Sequence, residues 1–274
     1  RQFNQPLWIG EENLSGKKIF IHWEQGYGDT IQFCRYIKEI KKLGCEIIFE
    51  VQQPLFNLLK NLEGVDKLIV YGSEVPSTDF YCSLMSLPLA LGTTLDTIPF
   101  SKSYLKISNK KIAKWENILG QKFKPRLGIV WSGSKTHLLD YQRFISLKNF
   151  LKLIPDGYEI ISLQKEVCNE DSNTLKRAKH IRHFGDNLTD YTDTGALCHL
   201  MDIVVSIDTS VAHLAGALGK KVFTLIAYCP DFRWLLDRND TPWYPSMKLY
   251  RQGHERNWDN LLKKIKYDLK IRCK

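Results

Sequence analysis

The sequence predicts an α/β protein whose sheets are mostly parallel. Short apolar runs rich in β-branched residues alternate with segments whose apolar residues recur at the period of a helix. The clearest unit is VVSIDTSVAHLAGALGKKVFTLI, residues 204–226, where a buried strand, a polar turn, a helix and a second strand follow one another. Units of this kind place their strands side by side in a parallel sheet.

The first half of the chain alternates predicted strands with predicted helices. A glycine turn follows the first strand, and the next helix has Phe33, Ile37, Ile40 and Leu43 on one side. Pro54 opens the following helix, because proline suits a first helical position. The other predicted segments are, in order, the strands KKIFIHW (17–23) and CEIIFEV (45–51), the helix PLFNLLKNL (54–62) and the strand VDKLIVYG (65–72).

The pattern breaks near residues 118–125 and restarts in the second half. Gly219 is placed to end the helix of the unit 204–226. The other predicted segments of this half are RLGIVWSG (126–133), LKNFLKLI (147–154), YEIISLQ (158–164), TGALCHLM (194–201) and a terminal helix over 258–274. We therefore predict two Rossmann-like halves, residues 1–120 and 121–274, with a ligand in the cleft between them.

The composition is that of an ordinary globular protein, with 43% hydrophobic and 25% charged residues among 274. No apolar run reaches about 18 residues, so no membrane span is expected. The net charge is +9, but neither a helix-turn-helix nor an aromatic RNA-binding pattern accompanies it. We expect no nucleic-acid partner and favour an anionic small molecule or an acidic surface. The terminal lysines belong to the solvated side of a helix whose apolar side is Trp258, Leu261, Leu262, Ile265 and Leu269.

The spacing of the cysteines and aspartates indicates the cellular compartment and whether the site depends on a metal. The seven cysteines are dispersed, with no CxxC pair, so we expect reduced thiols in a cytoplasm, mostly as core filling. No Asp-x-Asp pair occurs, and a metal-dependent site is not expected. Helix termini, Lys135 and Arg143 are expected to neutralise phosphates instead. The cysteines are Cys34, Cys45, Cys82, Cys168, Cys198, Cys229 and Cys273.

The polar turn in the unit 204–226 is the first candidate for a binding site. Asp208, Thr209, Ser210 and Val211 would direct backbone N–H groups and hydroxyls at an anion, with help from the helix dipole. A diphosphate suits such a site without metal. Two alternatives remain: the acid and hydroxyls only cap the helix, and His213, one turn on, is a packed core histidine.

A second turn leaves the strand at 126–133 through Ser132, Gly133 and Ser134. Small residues let the backbone approach a phosphate closely. The cations Lys135, His137 and Arg143 follow, although a plain surface role for Arg143 stays open. Two turns suited to phosphate in one parallel sheet are more than helix capping requires.

The turn after the first strand, HWEQGYGDTIQF, carries a different residue set. The third glycine of a GxGxxG motif is missing after Gly26 and Gly28, and Glu50 is a weak ribose candidate, so a dinucleotide site is not favoured. Asp29 lies at the mouth of the helix, either as a cap or as an acid facing the cleft. Glu24, at the strand end, is the alternative acid in this turn.

Four stretches, EQGYGDTIQFCRYI, GIVWSGSKTH, ISLQKE and SIDTSVAHLAGALGKKV…RWLLDRNDTPWYPSMKLYRQ, resemble the heptosyltransferase-like glycosyltransferases. The resemblance covers nearly the whole chain and points to the branch found in bacteria behind tetratricopeptide repeats. It implies a GT-B fold and metal-independent, inverting transfer from a nucleotide sugar, with no cofactor. The start RQFNQPLW, with Arg1 rather than Met, leads us to expect a processed or truncated chain with a repeat domain upstream, and a protein or surface glycan as acceptor.

The resemblance also implies roles for individual residues. It places the general base at Asp29, with Glu24 as the alternative. The basic residue that meets the phosphates maps onto Arg143, although the arginine-rich stretch usual there is Tyr141-Gln142 in this chain. Gln164 and Lys165 become candidates for base or ribose contacts. The family motif that contacts diphosphate and donor sugar matches Asp208, Thr209, Ser210 (in place of glycine) and His213.

Two other functions are compatible with these residues. One is a GT-B module that binds a nucleotide sugar or a protein without transfer. The other is a nucleotide-sugar epimerase, which needs further acid and base groups in the cleft. Asp29 counts in favour of transfer.

Overall fold

The computed structural model describes residues 3–99, 102–133 and 143–272. Two parallel sheets organise them. The strands of the first sheet are β1 (Lys18–His22), β2 (Glu46–Val51), β3 (Lys67–Val70) and β4 (Phe80–Ser83). Those of the second sheet are β5 (Arg126–Val130), β6 (Glu159–Ser162), β7 (Ile181–His183), β8 (Ile203–Ile207), β9 (Val222–Ile226) and β10 (Met247–Arg251).

Helices connect these strands. In the first half they are α1 (Tyr27–Phe33), α2 (Ile37–Lys41), α3 (Phe56–Leu59), α4 (Leu87–Ala90) and α5 (Asn109–Leu119). In the second half they are α6 (Leu147–Phe150), α7 (Asn169–Arg177), α8 (Tyr191–Leu200), α9 (Ser210–Ala217) and α10 (Asp259–Arg272). None of the helices in these described ranges combines the length and the apolar character that a membrane crossing requires.

Strand order decides which turns come together. The first sheet has the order β3-β2-β1-β4 and the second the order β10-β9-β8-β5-β6-β7, with every strand pair parallel. In the second sheet β5 and β8 are neighbours, and Val130 pairs with Ser206. The turns that follow these two strands therefore leave the same edge of the sheet at the same level.

The predicted α/β class with parallel strands is confirmed, and so is the buried side of the terminal helix, where Leu262, Ile265 and Leu269 are at most 2% exposed. Gly219 ends α9 with φ +72°, as predicted. One detail is wrong: the helix after the first turn is interrupted by a 3₁₀ turn at Cys34–Tyr36, and Leu43 is 39% exposed beyond its end.

A single hydrophobic cluster joins the two sheets. It contains residues of β1 and β2, of α1 and α2, of α8 and α9, and of the segment before β10, and it includes Trp8, Trp115 and Tyr244. A second cluster covers the other face of the second sheet and includes Trp131, Phe150 and Ile265. The core is therefore continuous between the two halves.

Helix α5 packs against α8 beside the second sheet. The buried Asp193 of α8 accepts hydrogen bonds from Lys111 Nζ (2.8 Å), Trp115 Nε1 (2.9 Å) and the backbone N–H of Thr189 (3.2 Å). Burial alone raises the pKa of Asp193, but the bonds from Lys111, Thr189 and Trp115 more than offset it and hold the pKa well below its usual range. The domain boundary at residue 120 stays a prediction.

Candidate active site

The turn after β5 is fixed by a side chain from the segment that follows the neighbouring strand β6. Gln164 Nε2 donates to the carbonyl of Ser132 at 3.0 Å, and its Oε1 accepts from the Ser132 N–H at 3.3 Å. Ser132 and Gln164 are buried, Gly133 is half-buried and Lys165 is exposed. The Gln164 amide thus holds the small-residue turn, and contacts of Gln164 and Lys165 with a base or ribose stay predictions.

Part of this turn lies outside the described residues. Ser134, Lys135 and His137, named above as candidates, fall in that part of the chain. Arg143 is described, and its Nη1 donates to the backbone carbonyl of Asp208 at 2.9 Å. The structure therefore brings the cation that follows one turn to the backbone of the other.

The turn after β8 does not use its acid as a helix cap. Thr209 has the extended backbone of an N-cap residue before α9, but no side chain caps the helix. The Asp208 carboxylate accepts instead from Trp234 Nε1 at 2.8 Å. Burial raises the pKa of Asp208, and the Trp234 bond and nearby arginines offset part of that rise. Ser210 shares a 2.6 Å hydrogen bond with Tyr191, and Val211 is half-buried.

His213 is held in one orientation. It is 3% exposed, its Nδ1 is hydrogen-bonded to the Tyr244 hydroxyl at 2.9 Å, and its ring stacks on Trp234 with centroids 5.3 Å apart. Burial, together with the nearby arginines, lowers the pKa of His213 well below its usual range, so the ring is neutral. Its Nε2 lies 3.8 Å from Asp208 Oδ1, which is too far for a hydrogen bond. The imidazole therefore keeps one nitrogen for a ligand.

The turn after β1 places both predicted acids at the edge of the first sheet. Gln25 adopts φ +56°, a left-handed conformation that is uncommon for residues other than glycine. Asp29 is 8% exposed, and its Oδ2 accepts from the Gly26 N–H at 2.7 Å, so it supports the start of α1. Half-buried Glu24 accepts from the Met85 N–H at 3.2 Å and so ties the turn to the segment after β4.

Arg233 is a site residue that the sequence analysis did not single out. It lies in the 3₁₀ turn Phe232–Trp234 after β9, and its Nη2 donates to Asp29 Oδ1 at 2.5 Å. Its Nη1 donates to Gln32 Oε1 at 3.0 Å and its Nε to Asp231 Oδ1 at 2.8 Å. Burial alone lowers the pKa of Arg233, but the charge of Asp29 and the contacts with Asp231 more than offset it and raise the pKa.

The two halves are in direct contact beside this ion pair. A Cβ atom at Gly28 would lie 2.9 Å from His213 Cδ2, so α1 and α9 are in contact. A buried guanidinium, that of Arg35, donates to the Trp243 carbonyl at 2.7 Å and to the Tyr104 hydroxyl at 3.0 Å. Asp29 and His213, which come from different sheets, therefore belong to one site.

Comparison with known proteins identifies the architecture. No protein-family model matches the sequence. FlbA of Caulobacter vibrioides is 23% identical over 282 residues, which cover 94% of this chain and 47% of FlbA, so the chain spans about half the length of this curated relative. A family 9 glycosyl transferase from Veillonella parvula superposes with a TM-score of 0.64 at 10% identity, covering 88% of this chain and 87% of that one.

The ADP-heptose lipopolysaccharide heptosyltransferase II of E. coli superposes with a TM-score of 0.63 at 13% identity, covering 93% of this chain and 98% of that one. The chain has the GT-B fold. The GT-B prediction is therefore confirmed. In this fold, the turns after β5 and β8 lie at the edge of the second sheet, and Asp29 lies at the edge of the first sheet.

One similar structure raises the question of a metal. TibC of E. coli, described as a dodecameric iron-containing heptosyltransferase in complex with ADP-D-β-D-heptose, superposes with a TM-score of 0.62 at 10% identity, covering 96% of this chain and 79% of that one. Within residues 3–99, 102–133 and 143–272, no group of three or more His, Cys, Asp or Glu side chains is placed to hold a metal ion.

Proposed function

We propose that the protein is a metal-independent, inverting glycosyltransferase that moves a sugar from a nucleotide-sugar donor to an acceptor. The observation that carries the proposal is the close approach of α1 to α9. It sets a buried carboxylate, Asp29, opposite a turn suited to a diphosphate. The GT-B fold, which glycosyltransferases with a TM-score above 0.6 share, supports this interpretation.

The second sheet binds the donor in this proposal. The start of α9 offers backbone N–H groups and the positive end of the helix dipole, and the Thr209 and Ser210 hydroxyls lie beside them. Ser132 and Gly133 let the backbone approach from the neighbouring strand. Arg143, already at the Asp208 carbonyl, supplies positive charge. Ser134, Lys135 and Val211 complete the proposed donor contacts, and neutral His213 donates from Nε2 to a phosphate or sugar oxygen.

The first sheet supplies the base. Asp29 takes the proton of the acceptor hydroxyl while that oxygen attacks the anomeric carbon from the face opposite the diphosphate. The new carbon–oxygen bond forms as the bond to the diphosphate breaks, and the nucleoside diphosphate leaves with the electron pair. Attack from the opposite face inverts the anomeric configuration. Glu24, bound to the Met85 N–H, is the alternative base.

The proposal also includes the acceptor, the cellular compartment and the branch of the enzyme family. We propose a protein or a surface glycan as acceptor, in a bacterial cytoplasm. The repeat-associated branch of the heptosyltransferase-like enzymes is proposed on the order of the sequence motifs. The matched region is 47% of FlbA, so FlbA has further sequence outside that region.

One observation favours the alternative of a non-catalytic nucleotide-sugar-binding module. Both oxygens of Asp29 are engaged, one by Gly26 and the other by Arg233. A carboxylate held in this way serves a structural purpose even without transfer. Incubation with a panel of nucleotide sugars separates the possibilities: slow donor hydrolysis indicates a transferase, an isomerised sugar indicates an epimerase, and binding alone indicates a module.

The decisive experiment compares two acids at the same edge of the sheet. Removing a general base lowers the rate by about 10²–10⁴-fold, so Asp29→Asn should abolish most transfer or donor hydrolysis while nucleoside diphosphate binding is retained. Glu24→Gln is the matched control. Full activity in Asp29→Asn together with loss in Glu24→Gln would assign the base to Glu24.

Metal independence has its own test. Titration of ADP, UDP and GDP with and without EDTA should give the same affinity, because helix termini and arginine side chains neutralise the phosphates. Loss of binding in EDTA, restored by a divalent cation, would contradict this mechanism.

A further inference from the structure

Arg233 connects the proposed base to the second sheet. Its side chain is 6% exposed, and its contact with Asp29 joins residues 204 positions apart in the sequence. Asp231 accepts from Nε at 2.8 Å and, more weakly, from Nη2 at 3.4 Å, whereas Nη2 also reaches Asp29 and Nη1 reaches Gln32. The guanidinium is thus anchored within its own short turn through Nε and crosses to the first sheet through its two terminal nitrogens.

This contact conflicts with the function proposed for Asp29. A base needs a lone pair directed at the acceptor, and here each oxygen of Asp29 already accepts one hydrogen bond, Oδ2 from Gly26 and Oδ1 from a buried cation. Taking up a proton there would remove one of the two carboxylates that pair with the buried guanidinium and leave it with Asp231 alone, which is unfavourable. Asp29 must therefore lose Arg233 before it can act.

The surroundings of Arg233 indicate what can displace Asp29. The next residue, Trp234, donates to Asp208 and stacks on His213, so Arg233 is adjacent in the chain to a residue that contacts the proposed diphosphate site. Its charge is also among the influences that lower the pKa of His213. A guanidinium binds phosphate oxygens in a bidentate geometry as readily as it binds a carboxylate.

Resting on the proposed function, we infer that Arg233 changes partner when the donor binds. The donor diphosphate draws the terminal nitrogens of the guanidinium away from Asp29 and Gln32, while Asp231 keeps Nε in place. Asp29 Oδ1 is then free for the acceptor proton, and Arg233 stabilises the charge of the leaving nucleoside diphosphate. Arg233 is thus both a donor-binding residue and the group that withholds the base until the donor is present.

Asp29 and the donor diphosphate thus compete for the Arg233 guanidinium. Asp29→Asn weakens the competitor without changing its size, so binding of the nucleoside diphosphate should become tighter. An asparagine oxygen still retains part of the hydrogen bond to Arg233, so we expect a gain of about three- to thirtyfold. A carboxylate that only orients the loop predicts no gain.

Calorimetric titration of the purified chain with ADP, UDP and GDP tests this, using whichever of the three binds wild type most tightly. Glu24→Gln is the matched control, because it removes one negative charge from the same sheet edge without touching Arg233. The expected result is tighter binding in Asp29→Asn and a much smaller change in Glu24→Gln. Unchanged or weaker binding in Asp29→Asn, or an equal gain in both variants, overturns the inference.

A second pair of variants isolates Arg233. Arg233→Gln alone leaves a buried carboxylate without its cation, whereas the double variant with Asp29→Asn leaves two neutral amides that can pair. Within the Asp29→Asn background, Arg233→Gln should weaken nucleoside diphosphate binding at least about tenfold. An unchanged affinity there overturns the inference while donor binding stands. Failure of wild type to bind any of the three nucleotides instead removes the proposed function itself.

Discussion

Replacing Gly28 with alanine tests whether the two halves meet as the structure places them. An alanine Cβ would lie 2.9 Å from His213 Cδ2 and 3.5 Å from the Ser210 Cα. Carbon atoms in contact are normally about 3.5–4.0 Å apart, so the clash is relieved only by a shift of roughly 0.6–1.1 Å. His213 cannot supply it alone, because Tyr244 and Trp234 fix its ring. Helices α1 and α9 must therefore separate.

The Gly28→Ala substitution should weaken ligand binding more than it lowers folding stability. Overpacking of this kind costs about 1–3 kcal/mol, which corresponds to a loss of about five- to hundredfold in affinity for a ligand that needs α1 and α9 in contact. The loss of folding stability is partly offset, because alanine is more favourable than glycine in a helix by about 1 kcal/mol.

Nucleoside diphosphate titration and thermal unfolding should be measured together, with Gly26→Ala as the control. A Cβ at Gly26 meets only Asp29 Oδ2, at 3.2 Å, and does not touch the second half of the chain. If Gly28→Ala raises the unfolding temperature and binds nucleotide as wild type does, α1 and α9 are not in contact in solution and the shared site is wrong.

Three further outcomes follow from contacts described above. Arg35→Lys should lower the free energy of unfolding by about 2–3 kcal/mol in denaturant titrations, because lysine cannot reach the Trp243 carbonyl and the Tyr104 hydroxyl together. Asp193, whose pKa lies below its usual range, contributes stability that is present above about pH 4 and lost as the pH falls further, so Asp193→Asn should flatten the acid limb of a stability–pH curve. Gln164→Ala should weaken nucleoside diphosphate binding about two- to tenfold by releasing the turn after β5, with little change in maximal rate, as titration and kinetics would show.

Local signals were sufficient for much of the fold. The strands β1, β2, β5 and β8 are buried, β-branched runs followed by polar or glycine turns, and each was predicted close to its observed bounds. The placement of the turns after β5 and β8 in one parallel sheet also followed from the sequence, whereas the direct pairing of β5 with β8 did not. By contrast, β4 (FYCS) and β7 (IRH) contain one β-branched residue between them, so neither shows the pattern of a buried strand.

The contacts that define the site were harder to predict. Asp29 was identified from its place after a glycine turn, but its partner Arg233 lies in an irregular segment where no periodicity shows which side chains are buried. An arginine between two aromatic residues, Phe232 and Trp234, was the available signal, since a charged residue in apolar company is often paired. Pairing over 204 positions needs the three-dimensional fold.

The continuous core described above has a consequence for how this protein can be divided. Because one hydrophobic cluster draws on both sheets, neither half buries all of its apolar surface alone. The two halves should unfold in one cooperative transition, and a fragment covering 121–274 should expose the faces of α8 and α9 and aggregate. Replacing one half with that of a related protein would disrupt the packing of this cluster unless the cluster residues of the other half were replaced as well. The two halves are therefore constrained to change together.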